Sequence, residues 1–143
     1  MPRYPIHFFS EDISFTFPEK LVVRSWINET IKSENYKLRE LNFIFCSDEY
    51  LLKINQEYLN HGTYTDIVTF DNSQIPGSIV GDIFISIDRI RENAEKFKVT
   101  PRDELHRVII HGTLHLLGYT DKNKKSKSLM TQKEDEYLSK RSF

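Results

Sequence analysis

A single cysteine, Cys46, means that no intrachain disulfide can staple this chain and no thiolate cluster can hold a metal. Neither charge is in excess: 20 Lys and Arg stand against 21 Asp and Glu, so no global field draws the protein onto nucleic acid. Any RNA affinity has to come from a local patch. No apolar run approaches the ~20 residues that span a bilayer. The start, Met1-Pro2-Arg3-Tyr4-Pro5, has no apolar signal core, so the expectation is a cytoplasmic protein without a membrane partner. Repeats, low-complexity tracts and Pro/Gly/Ser linkers are also missing, and the expectation is one domain over residues 1–143.

Large apolar side chains are plentiful, with seven Tyr and ten Phe available for a core. Ile6 and Phe8, then Ile13, Phe15 and Phe17, alternate in strand fashion. Pro18 opens a helix with Val22, Val23, Trp26, Ile27 and Ile31 on one stripe. Residues 41–46 read as a buried strand containing Cys46 as a small core residue, and Ser47-Asp48-Glu49 caps a helix to about Tyr58. A loop over 60–64 precedes a strand over 65–70, a turn-like stretch over 71–78 and a second strand over 79–87. Helices are expected over 88–98, 101–117 and 126–139. Strands early and helices late predict an α+β domain, with helices packed on a mixed sheet.

The helix over 101–117 has the clearest boundaries. Thr100 suits the N-cap, Pro101 the first helical position, Asp103 an acidic capping box, and Gly118 the left-handed stop. Around its axis, Leu105, Val108, Ile109, Gly112 and Leu116 make one apolar arc; Ile110, Leu114 and Leu117 make most of another. Between them runs a narrow polar strip of Glu104, Arg107, His111 and His115. A helix apolar on both flanks is buried, so the strip faces a cleft or paired partners. His111 and His115, four residues apart, stack their imidazoles at chelating distance, near the negative end of the helix dipole. Gly118-Tyr119-Thr120 then turns the chain back to Asp121, a third metal-type ligand. Three ligands with an open position form the pattern of a catalytic metal site, at the C-terminal end of a buried helix. His7 and His106 do not share the strip and are read as non-ligands.

His111-Gly112-Thr113-Leu114-His115-Leu116-Leu117-Gly118-Tyr119, with a ligand two residues on, resembles the YbeY family of bacterial metal-dependent endoribonucleases. Upstream, Leu52-Lys53-Ile54-Asn55 with Tyr58, Thr65-Asp66-Ile67-Val68-Thr69-Phe70 and Gly81-Asp82-Ile83 resemble further family segments in the family's order. The resemblance implies a compact α+β fold, one divalent ion (Zn2+ foremost), and single-stranded RNA, rRNA and ribosomal particles as partners in rRNA maturation and ribosome quality control. Two positions depart from the family pattern. Asp121 stands where the family has a third His, and oxygen in place of nitrogen changes ligand charge and metal preference. Leu59 stands where the family has a basic residue implicated in cleavage, and His61 is the nearest replacement by position.

A divalent ion can lower the pKa of bound water and polarise a phosphoryl oxygen. Metalloproteases with His-Glu-x-x-His place a general base beside the first His; Gly112 there counts against peptidase chemistry. Metal-bound hydroxide, His61 and an RNA 2′-hydroxyl all stay open as the base. For RNA, Lys122, Lys124, Lys125 and Lys127 form a phosphate patch beside Asp121, and Tyr64 and Tyr119 are candidates for base stacking, Tyr119 equally for packing the turn. The alternative function is a ribosome-assembly factor with a structural metal and little catalysis.

Overall fold

The computed structural model describes residues 4–59 and 64–143. Its elements run β1 (Ile6–Ser10), α1 (Lys20–Ser33), β2 (Lys37–Cys46), α2 (Asp48–Leu59), β3 (Ile67–Asp71), β4 (Ser78–Ser86), α3 (Ile87–Phe97), α4 (Pro101–Leu116) and α5 (Lys124–Ser139). The four strands form one sheet in the order β1-β2-β4-β3. β1 and β4 flank β2 in parallel, and β3 runs antiparallel along β4. This is the α+β arrangement with a mixed sheet that the sequence predicts.

Strand side chains alternate between faces, and the two faces are covered differently. Ile6, Leu41, Phe43, Phe45, Ile79, Ile83 and Ile85 join α1, α3 and α4 in the main core. Cys46 and Val68 face the other way, against Leu51 of α2. Cys46 is wholly buried, and burial pushes its thiol up to about 12, so it is the inert core residue the sequence suggests.

Several boundaries differ from expectation. The alternation at Ile13, Phe15 and Phe17 is not strand: β1 ends at Ser10, and these side chains pack onto the core from the connection to α1. Asp12 instead accepts the Ser47 backbone N–H at 2.9 Å, at the start of α2. Pro18 is not in the first turn of α1, which begins at Lys20. Glu19 at its N-cap makes no capping bond, because its carboxylate is held by Arg102 at 2.9 Å on both oxygens. β2 starts at Lys37, β3 spans Ile67–Asp71, and α5 begins at Lys124 behind an Asn123–Ser126 capping box.

α4 positions the site. Thr100 Oγ1 accepts the Asp103 N–H at 3.0 Å. At the far end Gly118 takes φ +100°, with Gly118 N–H donating to the His115 carbonyl and Tyr119 N–H to that of Leu114. That pair of bonds is a Schellman turn, which satisfies the last helical carbonyls and reverses the chain. Midway, a Cβ at Gly112 would lie 2.7 Å from Ile67 Cδ1 and 3.1 Å from Ile83, so glycine lets α4 lie against β3 and β4.

Candidate metal centre

α4 presents His111 and His115 one turn apart, and the Schellman turn returns Asp121 to them. His115 Nε2 lies 3.0 Å from His111 Nε2; Asp121 Oδ2 lies 3.4 Å from His111 Nε2 and 3.7 Å from His115 Nε2. A tetrahedral ion with ligands at ~2.0–2.1 Å has ligand–ligand edges of roughly 3.3 Å. The triangle matches that spacing. Among the described residues this is the one group of three or more His, Cys, Asp or Glu able to hold a metal ion.

The outward nitrogens are already engaged. His111 Nδ1 lies 2.6 Å from Glu134 Oε2, and His115 Nδ1 lies 3.1 Å from the Tyr119 carbonyl. Neither acceptor has a proton to give, so each Nδ1 is the donor and each Nε2 is left to the centre. Two lone pairs and a carboxylate oxygen then converge, an arrangement that repels itself unless a cation sits among them. A proton can play that part. Burial works against a charge on His111, but Glu134 first, then Asp121 and Asp66, outweigh it and hold the imidazole above its ordinary range. His115 is pushed below, by burial and then by His111.

Arg107 and His111 of the polar strip have partners on α5. Arg107 Nη1 donates to Glu134 Oε1 at 2.8 Å, and Nη2 reaches Asp135 at 3.3 Å. Asp66, just before β3, is raised by burial against the opposing pull of His111, and buried Glu104 is raised by burial and by Asp66. Sequence reasoning missed Glu134. The signal for Glu134 was there: Met130, Glu134 and Tyr137 form a buried stripe at helical spacing on α5, and a carboxylate in such a stripe needs a partner.

Lys122, Lys124, Lys125 and Lys127 are all exposed, and the last three lie in the first turn of α5. Tyr64 is half exposed; its hydroxyl donates to Glu49 at 2.7 Å and Arg89 lies over its ring. Tyr119 packs the turn: it lies against the core and its hydroxyl donates to Glu34 at 2.7 Å. His61 lies outside the described residues. His106 is fully buried and held by Arg141, and His7 is exposed on β1, both away from the triangle. Gly112 faces the sheet with no room for a Cβ, so the Glu of a His-Glu-x-x-His peptidase has no place in this packing.

A mixed α+β sheet with a His-x-x-x-His helix ending on a returning acidic ligand defines a class: compact proteins built around one candidate metal centre at a helix terminus. A family model described as Endoribonuclease YbeY matches residues 6–142. The Endoribonuclease YbeY of Cytophaga hutchinsonii is 52% identical over 143 residues, covering 100% of both chains. That of Flavobacterium psychrophilum is 51% identical over 130 residues, 91% of this chain and 92% of the relative. The solution structure of TM1509 from Thermotoga maritima superposes with a TM-score of 0.65 at 26% identity, over 94% of this chain and 87% of that one. The chain belongs to the endoribonuclease YbeY family.

Proposed function

We propose that this protein is a metal-dependent endoribonuclease acting on single-stranded RNA in rRNA maturation and ribosome quality control. Its ion, Zn2+, is held by His111, His115 and Asp121, and its setting is the cytoplasm, where ribosomal particles are found. The observation that carries this reading is the convergence of two Nε2 atoms and Asp121 Oδ2, with both Nδ1 atoms engaged elsewhere. The relatives named as endoribonucleases support the reaction class. When bound, such an ion acidifies a coordinated water and polarises a phosphoryl oxygen. The chain's own residues orient the ligands and place the substrate. His61 is assigned as a candidate proton carrier by its position in sequence.

The start of α5 supports the RNA side of the reading. Lys124, Lys125 and Lys127 crowd the positive end of a 16-residue helix whose first turn has no acidic residue. Cations there are unfavourable by about 0.3–1 kcal/mol each at low salt, and a phosphate relieves that repulsion. With Lys122 they form a phosphate-binding patch next to Asp121, and the exposed half of the Tyr64 ring offers a surface for a base.

A second reading has its own observation. Leu59, 41% exposed at the end of α2, cannot pair with a phosphate, which favours an assembly factor with a structural ion and weak cleavage. Elemental analysis combined with cleavage of single-stranded RNA decides between them. One ion per chain with cleavage abolished in His111→Ala or His115→Ala supports the nuclease. One ion with no cleavage by the wild type supports the assembly factor, and wild type without an ion overturns both.

A further inference from the structure

Glu34 closes α1, far in sequence from the metal centre, and carries its side chain 85% out of solvent. One oxygen accepts the Tyr119 hydroxyl at 2.7 Å, and the Tyr119 carbonyl accepts His115 Nδ1–H at 3.1 Å. Its other oxygen accepts the Tyr137 hydroxyl. Tyr137 lies one helical turn beyond Glu134, which holds His111 Nδ1 at 2.6 Å. Lys133 Nζ stands 3.5 Å from the same carboxylate and lies over both tyrosine rings, at 5.8 and 5.9 Å. One carboxylate thus ties down the turn that orients His115 and the helix that orients His111.

We propose that Glu34 is a positioning residue of the metal centre, acting on His115 through Tyr119 and on His111 through α5. It rests on the reading of His111, His115 and Asp121 as the ligands of a divalent ion. The reason is geometric. A metal site gains affinity when its imidazoles are held in the binding tautomer and orientation before the ion arrives. Tyr119 ends the Schellman turn with its N–H held by the Leu114 carbonyl, and its side chain, packed on the core and bonded to Glu34, is the second anchor that sets the direction of its carbonyl. Glu34 holds that side chain, and the ion pair with Lys133 keeps it an acceptor for both hydroxyls.

Direct partners of ligating histidines are worth about 10–100-fold in metal affinity. One bond further out, Glu34→Ala is expected to weaken Zn2+ binding about tenfold and Tyr119→Phe several-fold, both read by competition with a chromophoric chelator. Because the two share one link, the double variant is expected to bind no more weakly than Glu34→Ala alone. Glu34→Gln keeps an acceptor oxygen and is expected to recover most of the affinity. The same variants loaded with Co2+ are expected to show a shifted visible ligand-field spectrum, which a purely structural role would leave in place. Should Glu34→Ala fail to fold, Tyr119→Phe carries the test, with Glu34→Gln as the control expected to bind nearly as tightly as wild type. Wild-type binding with unchanged affinities and spectra in the variants overturns the positioning role alone, as do losses that multiply in the double variant. A wild type that binds no ion overturns the metal reading with it.

Discussion

Glu134 is the residue on which the geometry of His111 most depends. It is 6% exposed, and its two oxygens are divided between His111 Nδ1 and Arg107 Nη1. Glu134→Ala leaves a guanidinium and an imidazole N–H without their acceptor, and metal affinity is expected to fall about 10–100-fold. Glu134→Gln retains an oxygen for Nδ1 and is expected to lose less; equal affinity in wild type and Ala variant would remove Glu134 from the site. Gly112 acts at the same scale on the opposite side of α4. A methyl group there lies 2.7 Å from Ile67 Cδ1, closer than real Cβ atoms approach, and 3.1 Å from Ile83, tighter than most, so Gly112→Ala is expected to cost roughly 1–3 kcal/mol in urea unfolding. Since residue 112 faces the sheet, the ion-to-chain ratio is expected to stay at the wild-type value. An Ala variant as stable as wild type would mean that α4 does not depend on this close approach.

At the scale of elements, the first turn of α5 sets stability against binding. Replacing Lys124 and Lys125 together by Gln relieves repulsion at the positive helix end, so thermal stability is expected to rise slightly. RNA affinity is expected to fall about equally for all sequences, with a salt slope smaller by roughly one to two units. An unchanged slope would show that RNA takes another path. The elements also show which features the sequence reveals. α4 was legible because its signals are local: an N-cap, a proline, a terminal glycine and two histidines one turn apart. Asp121 followed because the Schellman turn returns it within a few residues. Glu134 was not legible, since its bond to His111 spans 23 positions and exists only once α5 packs on α4. Ile13, Phe15 and Phe17 misled for a related reason: alternation reports which side chains turn inward, not whether the backbone pairs with a neighbour. The early start of β2 was hidden because Lys37, Arg39 and Glu40 are exposed on a strand that still pairs with β4.

At the scale of the whole molecule, His106 makes stability depend on pH. It is fully buried where α1, α4 and the C-terminal segment meet, with its ring against Trp26 and Phe143. Arg141 Nη1 donates to its Nδ1 at 2.7 Å, so the imidazole serves as a neutral acceptor. Burial, then the charges of Arg141 and Arg102, push its pKa down to about 4. In the unfolded chain a histidine titrates near ~6.5. Between those values the unfolded chain binds a proton that the folded one refuses, so stability falls as pH falls through the window and is retained above it. A gap of that size corresponds to about 3 kcal/mol at most. Glu19, Glu34 and Asp103, held below the ordinary carboxylate range, lose their contributions at more acid pH, and the raised Asp66 and Glu104 are left in place by a substitution at residue 106. The check is urea unfolding of the metal-free protein between about pH 7 and pH 5, wild type against His106→Gln. Gln can still accept from Arg141 but cannot titrate, and the other histidines are common to both proteins. The difference in unfolding free energy is expected to shift steadily in favour of the variant as pH falls. Two parallel profiles would place the acid sensitivity elsewhere.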